Sequence, residues 1–137
     1  MILGIDPGRR RVGVAAADDE TRFARPVEVI DTAALDPVDR IADLVTELGA
    51  RAVVVGLPVG LSGTEGAAAS EQRDFMDRLR RSLRVDVIAY DERLTTVVAE
   101  RALRDGGVKG RKLRGLSDAV AAQVLLQDYL DSTAGAG

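Results

Sequence analysis

The stretch LGIDPGRRRVGVAAA, residues 3–17, decides how the fold begins. Two apolar runs, Leu3–Asp6 and Val12–Ala17, stand on either side of a Pro7-Gly8 turn signal. Short apolar runs joined by such a turn are typical of a β-hairpin. A third run, Phe23–Ile30, contains a proline, which suits an edge strand because proline has no backbone N–H to donate to a sheet. The chain is therefore predicted to begin with three strands.

The rest of the chain alternates between helical and strand patterns. Asp36-Pro37 is a helix start signal, Gly49 is placed as a C-cap, and the continuous run Ala52–Val55 indicates a strand covered on both faces. Further elements are predicted as a helix over Ala68–Leu83, a strand over Val85–Tyr90, a helix from Thr95 or Thr96 to Leu103, a basic loop over Lys109–Gly115 and a helix over Ser117–Leu130. This order predicts an α/β domain over residues 1–131, with an antiparallel hairpin joined to parallel strands, and a flexible tail over 132–137.

Composition narrows the chemistry that is available to this chain. Its 137 residues are 46% hydrophobic and 30% charged, as expected of one globular domain. We expect no membrane span, since no run of eighteen apolar residues occurs, and no secretory signal. The chain has no cysteine and no histidine. This excludes thiolate nucleophiles, Ser-His-Asp triads and zinc sites built on those residues, and it favours hard, oxygen-binding cations such as Mg²⁺.

Two acidic residues follow predicted strands. Asp6 comes at the end of the first strand and Glu92 comes after the fifth, and ligands of open α/β sheets collect beyond the carboxyl ends of strands. Asp6 could equally be a simple turn residue. Asp91 competes with Glu92 for a ligand role, and adjacent strand residues point to opposite faces. The longer side chain of Glu92 reaches further from the end of the strand and favours it. Asp91 remains the alternative ligand.

A third acidic residue, Asp118, is predicted in the first turn of the last helix. It could serve only to complement the helix dipole. However, the residues three, four and seven positions later are Ala121, Ala122 and Leu125, so Asp118 begins an apolar stripe. A carboxylate turned toward a sheet is costly unless it is paired or binds a metal. Asp6, Glu92 and Asp118 are thus candidates for one cation site.

The basic residues are clustered although the formal net charge is −3. Arg9-Arg10-Arg11 follows the hairpin turn, and the predicted loop before the last helix carries four cations. Isolated basic runs are usually solvated surface. Their positions beside the candidate carboxylates favour contact with a phosphate backbone, which would weaken steeply with salt. The candidate nucleic-acid-binding residues are Arg9, Arg10, Arg11, Arg93, Lys109, Arg111, Lys112 and Arg114.

Several motifs in order resemble one family along nearly the whole chain. They are GIDPG at 4–8, RVGVA at 11–15, VGLP at 55–58, GTEG at 63–66, DERLTT at 91–96 and DAVAA at 118–122. Together they resemble the YqgF/RuvX family of small bacterial proteins, described as candidate pre-16S rRNA nucleases and earlier as candidate Holliday junction resolvases. The DERLTT run is the most specific motif. Pro7 departs from the aromatic or aliphatic residue expected there and is closer to the RuvC resolvases.

The resemblance implies a ribonuclease H-like fold, with a mixed five-stranded sheet and helices on both faces. It implies that Asp6, Glu92 and Asp118 bind Mg²⁺ or Mn²⁺ for two-metal phosphodiester hydrolysis, and that an rRNA precursor is cut in the cytoplasm. Branched DNA is the alternative substrate. No membrane partner is expected, and the protein is expected to be a monomer or weak homodimer. The other readings are a non-catalytic nucleic-acid-binding module and a fragment resembling sugar-kinase/actin ATPases, which need two such domains.

Overall fold

The computed structural model of the chain describes residues 1–57, 67–91 and 111–136. Within these ranges five strands and three helices follow one another along the chain. The strands are β1 (Ile2–Asp6), β2 (Arg11–Ala17), β3 (Ala24–Asp31), β4 (Ala52–Leu57) and β5 (Asp86–Asp91). The helices are α1 (Pro37–Leu48), α2 (Ala67–Ser82) and α3 (Arg111–Ala136). The predicted helix from Thr95 or Thr96 to Leu103 lies outside the described residues.

The strands form one mixed sheet in the order β3-β2-β1-β4-β5. β1 pairs antiparallel with β2, which confirms the predicted hairpin, and β2 pairs antiparallel with β3. β4 lies parallel to β1, and β5 lies parallel to β4. The carboxyl ends of β1, β4 and β5 therefore meet at one edge of the sheet, which is the edge that carries Asp6.

Helices cover both faces of the sheet, as the resemblance implies. Because side chains alternate along a strand, β1 contributes to two separate cores. Leu3 and Ile5 join the larger cluster beneath α1 and α2, whereas Ile2 joins Leu126 and Leu130 in the cluster beneath α3. Both clusters are fully buried at their centres, so the sheet is held between two apolar layers.

Helix α1 has the start and end that its sequence predicts. The Asp36 carboxylate accepts a hydrogen bond from the Val38 N–H at 2.9 Å, and proline occupies the first turn. Gly49 has φ 63°, the left-handed conformation that favours glycine after a helix. Arg78 of α2 lies 2.7 Å from the same carboxylate and holds the pKa of Asp36 below its ordinary value. The cap therefore also ties α1 to α2.

Helix α3 is longer than predicted at both ends. The prediction of a basic loop over Lys109–Gly115 is wrong from Arg111 onward, and Ser117 lies inside the helix and not at its N-cap. Arginine, lysine and leucine are good helix formers, and one glycine costs a helix only about 1 kcal/mol. At the other end the residues predicted as a flexible tail are helical through Ala136. The Thr133 hydroxyl donates to the Tyr129 carbonyl at 3.1 Å within these turns.

Side-chain hydrogen bonds fix α3 along the beginning of β3. Gln127 accepts from the Ala24 N–H at 2.9 Å and donates to the Arg22 carbonyl at 3.0 Å. One turn earlier, Gln123 donates to the Ala24 carbonyl at 3.0 Å. These contacts set the position of α3 along the sheet and therefore the position of Asp118. None of the helices in the described ranges is long and apolar enough to cross a membrane.

Candidate active site

Asp6 and Asp118 are brought together by the absence of a side chain at Gly13. Asp6 is the residue opposite Gly13 in the β1–β2 ladder. A Cβ atom added to Gly13 would lie 2.0 Å from the carbonyl oxygen of Asp118, so the backbone of α3 rests directly on the strand there. Gly4 faces α3, because a Cβ atom added to it would lie 2.7 Å from Leu126 Cβ. Asp6 stands two residues after Gly4 in the same strand, so the two residues are on the same face of the sheet. The two acidic residues thus lie on one face, beside one point of contact.

Asp118 lies about two turns into α3, and not in the first turn as predicted. Its distance from the helix start weakens the explanation that it only complements the helix dipole, whose effect falls off within the first turn. Of the predicted apolar stripe that follows it, Ala122 and Leu125 are buried and Ala121 is partly buried. The carboxylate is therefore positioned on the side of α3 that packs against the protein.

The Asp118 carboxylate is poorly compensated. Its side chain is 28% exposed, and Arg11 Nε lies 3.2 Å from Oδ2. This is close enough for an ion pair but is not aligned as a hydrogen bond, and Oδ2 is buried without a hydrogen-bond partner among the described residues. Burial raises the pKa of Asp118, and the positive charge of Arg11 opposes that rise only in part. The carboxylate is therefore held where an additional cation would stabilise it.

Such a carboxylate fits a hard divalent cation, which takes oxygen ligands. Asp6 supplies a second carboxylate on the same face, and it already makes an interaction within the protein. The predicted third ligand, Glu92, lies outside the described residues, and its competitor Asp91 ends β5. In the part of the chain that the structure describes, no group of three or more acidic residues is gathered closely enough to form a complete metal site.

The arginines after the hairpin turn divide between the two faces of the sheet. Arg9 Nε lies 3.4 Å from Glu71 on α2, whereas Arg11 pairs with Asp118 on α3. Arg10 is exposed between them. Of the other predicted basic contacts, Arg111, Lys112 and Arg114 lie in the first turns of α3, and Arg93 and Lys109 lie outside the described residues.

Sequence reasoning missed Gly13 and the pairing of Arg11. The signal for Gly13 was present, because a glycine inside a strand often marks a close backbone approach. Nothing local indicated that Arg11 would pair with Asp118, since 107 positions separate the two residues in the sequence. Arg11 is thus both a candidate phosphate ligand and a partner of a candidate metal ligand.

The order and register of the strands define an α/β domain of the ribonuclease H type, which solved structures share. The chain aligns with RuvC of T. thermophilus in complex with Holliday junction substrate, with a TM-score of 0.60, 21% identity and coverage of 98% of this chain and 95% of that chain. The Holliday junction resolvase of fowlpox virus aligns with a TM-score of 0.56 at 11% identity, over 96% of this chain and 97% of that chain. These likenesses show the fold.

Sequence comparison shows the family. The RuvX family model, described as Holliday junction resolvase, matches residues 1–132, and the chain belongs to this family. A relative from Chloroflexus aggregans is 46% identical over 132 residues, which cover 96% of this chain and 93% of the relative. A relative from Thermobifida fusca is 49% identical over 138 aligned positions, which cover 95% of this chain and 86% of the relative. Both carry the name "Putative pre-16S rRNA nuclease". The resemblance that the sequence motifs indicated is confirmed.

Proposed function

We propose that this protein is a metal-dependent endonuclease that cuts an rRNA precursor near the 5′ end of 16S rRNA. One observation carries the proposal. Asp6 and Asp118 share a face at the carboxyl edge of the sheet, beside the Gly13 contact, and Asp118 Oδ2 is buried there without a hydrogen-bond partner among the described residues. Removing an oxygen from water in this way is costly, and a bound cation would repay the cost. Membership of the RuvX family supports a phosphodiester-cleaving hydrolase.

In this proposal Asp6, Glu92 and Asp118 hold Mg²⁺ or Mn²⁺. Glu92 is proposed over Asp91 because its longer side chain reaches further from the end of β5. When bound as a pair, such cations lower the pKa of water and stabilise charge on the leaving oxygen. Neither cysteine nor histidine is needed for this chemistry.

Arginine side chains around the site are proposed to bind the phosphate backbone. Arg10 is exposed at the hairpin turn, and Arg9 and Arg11 are held on opposite sides of it by Glu71 and Asp118. The basic residues at the start of α3, together with Arg93 and Lys109, are proposed to extend this surface. Because such contacts release counterions, we expect affinity for nucleic acid to fall steeply as salt is raised.

Branched DNA is the second candidate substrate. The solved RuvC structure that shares the fold holds a Holliday junction, but it is only 21% identical. The relatives named for pre-16S rRNA are 46–49% identical over nearly the whole chain, which favours RNA. We also propose that residues 1–131 act as one domain, that the protein works in the cytoplasm, and that it is a monomer or a weak homodimer.

Cleavage by purified protein in Mn²⁺ tests the proposal. A pre-16S rRNA fragment with its 5′ leader and a four-way DNA junction are compared as substrates. Asp6→Asn and Asp118→Asn should abolish cleavage while circular dichroism shows that the fold is retained. Asp131→Asn, the same change at an exposed position of α3, is the matched control and should cleave like the wild type.

Each outcome has a definite meaning. Cleavage of the RNA alone supports the proposal, and cleavage of the junction alone replaces the substrate with branched DNA. Binding of nucleic acid without cleavage of either substrate would make the protein a non-catalytic module and would overturn the proposal. If Asp118→Asn cleaves as fast as the wild type, Asp118 is not part of the active site and the proposed location of that site is wrong.

A further inference from the structure

A cavity of about 200 Å³ opens beside the candidate active site, on the other face of the sheet. It includes Pro7, the residue that follows Asp6, and lies between the hairpin turn, the start of α1 and the first half of α2. Its lining residues are Pro7, Gly8, Arg9, Val12, Pro37, Glu71, Gln72 and Phe75. A nucleic-acid strand that passes over the hairpin turn could therefore reach the carboxylates on one side of the sheet and this cavity on the other.

Part of the lining of the cavity is apolar. Val12 is fully buried at its floor, and Phe75 is half-buried against the larger core. Pro7 and Pro37 also belong to the lining. Aromatic and proline faces of this kind suit a planar aromatic group, and every nucleobase offers such a face.

The rim of the cavity is polar and carries both signs of charge. Gln72 supplies an amide that can donate and accept, and the lining residues Arg9 and Glu71 form an ion pair with each other. This set can meet the mixed donors and acceptors on the edge of a base. Arg9 in the lining and the exposed Arg10 next to it in the chain supply positive charge, which complements a phosphate backbone.

We propose that this cavity receives one unpaired nucleobase of the strand that the site cuts. The inference rests on the proposed nuclease function and adds a specificity determinant to it, because a base in a duplex must first leave its stack. A flexible or single-stranded position next to the cleaved bond would then be preferred over a continuous duplex. The observations that carry the proposal are the position of its lining residue Pro7 directly after Asp6 in the chain, the apolar residues of its lining and the charged residues at its rim.

The test measures how strongly the protein prefers a strand with bases to one without. A short single-stranded RNA and an abasic strand of equal length are titrated against the intact protein in EDTA, so that no cleavage occurs, with fluorescence anisotropy as the readout. Base stacking on an aromatic side chain is worth a factor of roughly 5 to 100 in affinity. We expect the wild type to bind the strand with bases more tightly by such a factor.

Variants assign that preference to the cavity. Phe75→Leu keeps an apolar side chain against the core and should reduce the ratio of the two affinities by roughly fivefold or more. Gln72→Ala should reduce it by roughly 2- to 10-fold, as expected for one lost hydrogen bond. Ser70→Ala, an exposed position on α2 outside the lining, is the control and should leave the ratio unchanged. The ratio compares two ligands on one protein, so partial unfolding of a variant does not alter it.

Several results would overturn the inference. They are a wild-type ratio near one, an unchanged ratio in both cavity variants, or no binding of either strand. A ratio near one would point instead to another occupant, such as an apolar side chain of a protein. The nuclease proposal fails separately. If no substrate is cleaved but the ratio of affinities is high and depends on the cavity variants, the nuclease function is refuted and base binding by the cavity is retained.

Discussion

Replacing Gly13 with alanine tests how closely α3 must approach the sheet for the two carboxylates to work together. The added Cβ would lie 2.0 Å from the Asp118 carbonyl oxygen and 2.5 Å from its carbonyl carbon. The first distance is about 1.4 Å shorter than the 3.4 Å at which ordinary van der Waals contact begins. The atoms that are met belong to a helix backbone, so no side-chain rotation can relieve the clash. Either α3 or β2 must move.

The size of that displacement sets the expected effects. Overpacking of a well-filled core typically costs about 1–3 kcal/mol, and a backbone clash belongs at the upper end or above it. For a domain of this size we expect the melting temperature to fall by roughly 5–15 °C. A misplacement of about 1 Å in a catalytic constellation costs on the order of 10²-fold in rate. Gly13→Ala should therefore lower cleavage by about that factor in the molecules that remain folded.

Thermal unfolding and the rate of RNA cleavage below the transition measure the two effects. Gly4→Ala is the matched control, because its Cβ would lie 2.7 Å from Leu126 Cβ, about two turns further along α3. It should also lower the melting temperature but should reduce cleavage at least tenfold less than Gly13→Ala does. A Gly13→Ala protein with wild-type stability and rate would refute the close approach of α3.

Three further predictions concern stability. Asp118→Asn should raise the free energy of unfolding at neutral pH. Burial raises the pKa of this carboxyl, so the folded state holds its proton more tightly and stability falls as pH rises above the ordinary value of 3.8. The gain should vanish below pH 3.8 in urea titrations, and a loss at neutral pH would contradict it. Gln127→Ala should cost about 1–3 kcal/mol in the same assay, because it leaves the part-buried Ala24 N–H without its partner, and Gln123→Ala should cost less. Asp36→Ala should cost about 1 kcal/mol through loss of the α1 cap, whereas the exposed Asp39 should tolerate alanine.

Local signals in the sequence were sufficient for the hairpin, for α1 and for the class of fold. A Pro-Gly turn, an Asp-Pro helix start and a C-cap glycine each act through residues that are neighbours in the chain. Their effect can therefore be recognised without knowing the tertiary contacts. The same holds for the family, since its motifs are short runs. Asp6 and Asp118 can be identified as candidate site residues in this way, because Asp6 stands at the end of a strand and Asp118 at the start of an apolar stripe.

Only the tertiary structure decided what those residues touch. The start of α3 at Arg111 is not recognisable from the sequence, because Gly115 is typical of a loop and Ser117 of a helix N-cap. In the long helix, good helix formers outweigh the low helix propensity of these two residues. The contact between Gly13 and the Asp118 backbone, and the pairing of Arg11 with that carboxylate, join residues more than a hundred positions apart. Such contacts depend on the register of the strands and on the depth at which α3 packs. Burial, and with it the raised pKa of Asp118, exists only once the two layers are assembled.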